Sequence, residues 1–191
     1  GIDEVYLGRK FGFITVVRDL DSGGVLFIGK GKGGAALEPL KSRLRRKAKQ
    51  IEAVAMDMSN AYAAWIGEVL PNAEIVYDHF HVIKLMNERM DALRRSTMNK
   101  LDEEQKKELK GQRYLFLRNQ EDLSGEAARS LKKLRFEYED LGTASMMKEY
   151  LRNIYRMADG VDTARGAFTL WCDKAEASAI HCLRQMAKTI R

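Results

Sequence analysis

Four positions in the first half of this chain have the residue types and spacing for chemistry. Asp3 stands in the run IDEVYL, and Asp57 ends the apolar run IEAVAMD. Asp78 and His81 form a D-x-x-H directly after a second apolar run, AEIVY. Two carboxylates brought to one place repel unless cations hold them together. A pair of divalent ions about 3.5–4 Å apart is the usual arrangement for phosphodiester chemistry, and carboxylate oxygens suit Mg2+ or Mn2+. Each residue also has a plain structural reading. Asp57 can start a turn or cap the helix that follows it. Asp3 can be a solvated acid on a frayed first strand, and Asp78 can cap the next helix. His79 and His81 look like half of a zinc site, but the one other histidine, His181, offers no second half with ligand spacing. For Asp78 and His81, one helical turn apart, a charged or hydrogen-bonded pair fits better.

Whether Asp3 and Asp57 meet depends on the elements that carry them. Residues 2–7 read as a first strand, with Asp3, Val5 and Leu7 on one face and Ile2, Glu4 and Tyr6 on the other. An acid beside Val and Leu is costly unless something cationic sits against it. A β-branched and aromatic run over 11–20, the turn Asp21-Ser22-Gly23-Gly24 and a run at Val25–Ile28 complete an antiparallel meander. A helix over 35–48, a strand at 51–57, a helix over 60–70 and a strand at 73–77 follow. The last three form a βαβ unit with parallel strands, and ligands on such sheets sit at the carboxyl ends of strands. The order β-β-β-α-β-α-β is the ribonuclease-H-like layout, with a five-stranded mixed sheet ordered 3-2-1-4-5. Strands 1 and 4 are then neighbours, and Asp3 faces Asp57.

Between these elements lie two basic features. GKGKGG at 29–34 lacks the GxxxxGK[ST] order of a phosphate loop and follows an antiparallel hairpin, so it reads as a flexible basic loop. Lys41, Arg45, Arg46 and Lys47 crowd the end of the helix over 35–48. The helix dipole alone would favour cations there, but their density suggests a phosphate-facing surface. Its apolar face carries Leu37, Leu40 and Leu44.

From about residue 80 the pattern is helical throughout. Ile83, Met86, Met90 and Leu93 form one apolar stripe, and Met146, Met147, Tyr150, Leu151, Ile154 and Tyr155 form another. Helices are predicted over 102–111, 126–138, 144–158, 162–175 and 178–190, with Thr143, Asp162 and Ser178 as N-caps. Trp171 reads as a core residue. The +6 charge and pI of 9.3 favour polyanionic partners. No apolar run approaches the roughly 18 residues of a membrane span, and there is no signal-like start, so a membrane role is not expected. Cys172 and Cys182, without a CxxC pattern, read as reduced thiols of a cytoplasmic protein. A helical interaction protein with a β cap is an alternative, but it would need the two acids solvated and apart.

The stretches GIDEVYLGRKFGFITVVRDLDSGGVLFIGKG, IEAVAMDMSNAY and LPNAEIVYDHFHVIKLMNERMDALRR resemble the transposases of the insertion-sequence-L-three family. YLFLRNQEDLS and AEASAIHCLRQMAKTIR extend the resemblance over nearly the whole chain. It implies a ribonuclease-H-like core in which an Asp-Asp-Glu triad with two Mg2+ or Mn2+ ions cuts and joins DNA strands. Asp3 and Asp57 would be the first two metal-holding catalytic carboxylates, with Asp78 and His81 in support. In the family the Glu lies beyond an all-helical insertion, in an asparagine-glycine-rich context, and no such stretch occurs before Arg191. The family's N-terminal zinc-binding and helix-turn-helix segments are not in the sequence either. The expectation is therefore a central fragment, with residues 1–81 as the first part of the core and 82–191 as the insertion. It would be inactive alone, while the full-length protein would act on transposon ends and target DNA as a homo-oligomer. A ribonuclease-H-like module that binds nucleic acid without cutting it is the alternative.

Overall fold

The computed structural model describes residues 1–191, which divide into two compact units, Gly1–Val82 and Ile83–Arg191. In the first unit, β1 (Ile2–Tyr6), β2 (Phe13–Arg18) and β3 (Val25–Lys30) form the expected antiparallel meander. The helix over 35–48 is broken into α1 (Gly34–Leu37), a 3-10 turn at Glu38–Leu40 and α2 (Lys41–Lys47). Pro39 sits at the break, where it has no N–H to give and crowds the preceding turn. β4 (Ala53–Met56), α3 (Asn60–Val69) and β5 (Glu74–Tyr77) make the βαβ unit, with β4 and β5 parallel.

The five strands are hydrogen-bonded as two sheets, β1-β2-β3 and β4-β5, rather than as one sheet ordered 3-2-1-4-5. β1 runs close beside β4 but no ladder joins them. Side-chain packing does the joining. Ile2, Val17, Val54 and Met56 point to one side, where they bury against Leu37, Leu40, Tyr62, Trp65, Ile66 and Val69. Asp3, Val5 and Ile28 point to the other side and are exposed.

α4 (His79–Met98) starts in this unit and continues into the second. The second unit is helical throughout: α5 (Glu103–Leu109), α6 (Arg113–Leu117), α7 (Gly125–Glu137), α8 (Glu139–Met157), α9 (Val161–Ala177) and α10 (His181–Ile190). Asp102 begins α5 with a capping box to Gln105. Three predicted caps fall elsewhere. Thr143 lies inside α8, because that helix starts straight after α7 at the shared residue Tyr138. Gly142 permits the tight packing there; a Cβ would strike the Arg135 carbonyl oxygen. Asp162 lies in the first turn of α9, after Gly160, and Ser178 precedes the Ile180 cap of α10. The buried face of α8 runs Leu141, Ala144, Lys148 and Leu151, while Met146 is exposed. Helical spacing admitted both faces, and a lysine took the core position. Trp171 is fully buried, its Nε1 donating to the Met147 carbonyl at 2.8 Å.

No helix is long and apolar enough to cross a membrane.

Candidate functional site

The β4-β5 pair sets the site. The ladder pairs Met56 with Tyr77, and the Asp78 N–H donates to the Met56 carbonyl at 2.7 Å. Asp57 and Asp78 therefore emerge together at the carboxyl ends of parallel strands. From there their roles separate. Asp78 Oδ1 accepts from the Phe80 N–H at 2.6 Å, as an Asp does at the start of a helix, and lies 3.9 Å from His81 Nδ1. That separation is too long for a hydrogen bond, and His81 Nδ1 is buried without a partner.

Asp57 accepts a comparable hydrogen bond from the Ser59 backbone, but its other oxygen is left over. Its Oδ1 is buried with no hydrogen-bond partner, and such an atom bears the full cost of lost hydration. Its carboxyl is held above the ordinary aspartate range. Burial contributes most, the Glu4 carboxylate adds to it, and Asp3 adds a smaller push. The His81 imidazole and a hydrogen bond from the Ser59 backbone act the other way. Asp3 is exposed, with Oδ1 accepting from the Glu4 N–H at 2.8 Å. So the chain does bring Asp3, Asp57 and His81 into one electrostatic neighbourhood, and it adds Glu4.

Glu4 and its support are what the sequence reasoning missed. Tyr62, from the helical stretch AYAAWIGEVL, is buried and donates its hydroxyl proton to Glu4 Oε1 at 2.8 Å. The Tyr62 hydroxyl oxygen accepts from the Gly33 N–H at 2.9 Å and touches Thr15 Oγ1 at 2.9 Å; Thr15 in turn donates to the Gly31 carbonyl. One phenol thus ties β1, β2 and the glycine-rich loop together. Burial raises its pKa and keeps it protonated. The available signal was Glu4 itself, an acid on the strand face that also carries Ile2 and therefore faces the core.

Hard oxygen donors beside an orphaned carboxylate oxygen suit a divalent cation. No three His, Cys, Asp or Glu side chains are gathered closely enough to hold a metal by themselves. The orphaned Asp57 oxygen, with the Glu4 and Asp3 carboxylates near enough to push its pKa up, has the donor chemistry a divalent cation takes.

A family model for transposases of the insertion-sequence-L-three type matches residues 1–191. The chain belongs to that transposase family. It is 33% identical over 194 residues to the transposase for insertion sequence element IS1001 of Bordetella parapertussis, covering all of this chain and 48% of that protein. It is 26% identical over 215 residues to the transposase for IS1557 of Mycobacterium tuberculosis, again over all of this chain and 48% of the relative. The chain therefore spans about half the length of these relatives. No solved structure matches it.

On this transposase chain the basic cluster is partly engaged. Lys41 Nζ lies 3.1 Å from Glu38 and 2.9 Å from Glu68, and Arg45 lies 3.2 Å from Glu68. The hydrogen bonds to those carboxylates raise the Lys41 pKa. Arg46 and Lys47 are exposed and make no ion pair, so they are the members of the cluster with charge to offer a phosphate.

Proposed function

We propose that this transposase chain supplies Asp3 and Asp57 as two carboxylates of a divalent-metal site that cuts and joins DNA strands in the whole protein. The observation that carries this reading is the buried, partnerless Oδ1 of Asp57 beside the carboxylates of Glu4 and Asp3. A fold does not leave acids so placed without cost unless a cation offsets them. β1 lying beside β4 supports the ribonuclease-H-like order 3-2-1-4-5, with Gly1–Val82 as the first part of the catalytic core and Ile83–Arg191 as the helical insertion.

In this reading Asp57 and Asp3 hold the cation, as Mg2+ or Mn2+. Asp78 fixes the start of α4, and that helix carries His81, whose imidazole favours the ionised form of Asp57. Tyr62 keeps Glu4 in place. A bound divalent ion supplies charge stabilisation at the scissile phosphodiester. The partners are transposon-end and target DNA, engaged by a homo-oligomer in the cytoplasm. A module that only binds nucleic acid has no use for paired acids beside a polyanion, which disfavours that alternative.

The test is a thermal melt with and without MnCl2. At ten times Kd a ligand of the native state adds about 1.4 kcal/mol, which raises Tm by about 3–6 °C for a chain of this length. Asp57→Asn should abolish the shift and Asp3→Asn should reduce it. An equal shift in the wild type and in Asp57→Asn would sink the assignment, as would no shift in the wild type.

A further inference from the structure

The hairpin between β1 and β2 has a composition that the metal site does not use. Its turn is closed by backbone hydrogen bonds from Leu7 to Gly12, 2.8 Å, and from Gly12 to Gly8, 2.8 Å. Gly8 and Gly12 adopt φ of 91° and 69°, which other residues rarely do. On this closed frame three aromatic rings stand in solvent: Tyr6 at 54% exposure, Phe11 at 62% and Phe13 at 37%. Tyr6 and Phe13 are register partners on the face that carries Ile2 and Glu4, with ring centroids 4.9 Å apart. Lys32 Nζ sits 5.0 Å from the Phe13 centroid and Lys10 Nζ 5.4 Å from the Phe11 centroid. The Gly31 N–H donates to the Phe13 carbonyl at 2.8 Å, so the basic loop is tied to the base of the hairpin. Lys10 and Lys32 are exposed and neither meets a carboxylate.

Uncompensated cations interleaved with exposed rings are the two halves of single-strand recognition: charge for the backbone and π-faces for the bases. Duplex bases are stacked on one another and offer no such faces, and an apolar protein partner would leave both lysines unpaired. We propose that Tyr6, Phe11 and Phe13, with Lys10 and Lys32, form a contact for unpaired nucleotides of a DNA strand. Tyr6 lies two residues along the same face of β1 from Glu4, about 7 Å, so the rings stand on the side of β1 that carries the acid bearing most on Asp57. The inference rests on the reading of DNA as the substrate.

The experiment is fluorescence anisotropy of the 191-residue chain with a labelled oligothymidylate and with a duplex of equal length, across a salt series. Oligothymidylate should bind. Phe11→Ala should weaken it about tenfold, within the range for loss of one stacked base. Lys10→Gln with Lys32→Gln should flatten the single-strand salt slope by about 1.4, at roughly 0.7 per phosphate contact. Phe136→Ala, which removes an 88% exposed ring in the helical unit, should change nothing. Both hairpin variants should melt like wild type, because their side chains lie in solvent. Wild-type affinity in the hairpin variants overturns the proposal, as does binding of duplex alone or of neither DNA. The Mn2+ melt is independent of these results. A divalent shift that depends on Asp57, alongside unaltered oligonucleotide binding, would remove the hairpin contact and leave the metal reading intact.

Discussion

The two units of the chain treat buried charge in opposite ways. In the helical unit, Lys148 is 1% exposed, yet its Nζ donates to the Phe116 and Arg118 carbonyls at 2.7 and 2.6 Å. It also lies 3.1 Å from Glu149 Oε1, an ion contact without hydrogen-bond alignment. Arg152 joins Glu149 at 2.6 Å and grips both oxygens of Glu121, with Arg156 adding a third contact there. The Arg152 hydrogen bond holds Glu121 down at about 2. Each of these charges has an opposite charge or a carbonyl against it, Glu149 Oε1 through the ion contact alone, and their work is to pin the end of α6 and the following turn onto α8. In the first unit Asp57 is pushed up, its Oδ1 is unanswered and its nearest charged neighbours include two more acids. A network of matched opposite charges is a structural device. An unsatisfied one of a single sign is a place where something else belongs.

That contrast can be broken most forcefully in the helical unit. Lys148→Met fills the same space but orphans two carbonyls, and it should cost about 3 kcal/mol in urea unfolding followed by circular dichroism. A neutral result would mean that the network is ornamental. A smaller effect is expected from Tyr62→Phe, which removes the hydroxyl shared by Glu4, Thr15 and Gly33. It should lower stability by about 2 kcal/mol, measured in the same way, while the Mn2+ response remains. The smallest effects are in pH, where the two units should have opposite signs. Glu121 is depressed in the fold, so its contribution is present above the ordinary carboxylate range and lost as pH falls towards about 2. Glu121→Gln should remove that part of the acid sensitivity. Asp57 is raised, so its ionisation opposes folding above its folded pKa, and the penalty fades as pH falls towards 3.8. Without divalent ions, Asp57→Asn should therefore raise Tm at neutral pH by about 2 °C or less. That advantage should vanish in acid. A Tm lowered by Asp57→Asn at neutral pH would mean that Asp57 is a stabilising acid like Glu121.

Much of the element order was legible because periodicity is local. IDEVYL, the meander that follows it and the βαβ unit could be read from two-residue alternation, turn residues and short apolar runs. Helix boundaries were less legible where packing decided them. Thr143 is a good cap in isolation, but α7 and α8 abut at Tyr138, so the helix was already under way. The break at Pro39 follows from proline chemistry alone, although the leucine spacing across it is continuous. The single five-stranded sheet was an inference from topology, and topology does not specify that β1 and β4 complete a ladder. Here buried side chains bring them together without one.

The same division runs through the site. The sequence by itself determined that carboxylates stand on a first strand and at the end of a fourth, with a D-x-x-H after the fifth, because those placements follow from run lengths. It also carried enough identity to assign the family. Only the tertiary structure decided which acids feel one another. Glu4 bears on Asp57 more than Asp3 does, Tyr62 crosses from α3 to hold Glu4, and Lys41 and Arg45 are taken up by Glu38 and Glu68. Electrostatic coupling depends on distance and burial, which chain spacing does not encode. It was set when α3 packed onto β1 and β4.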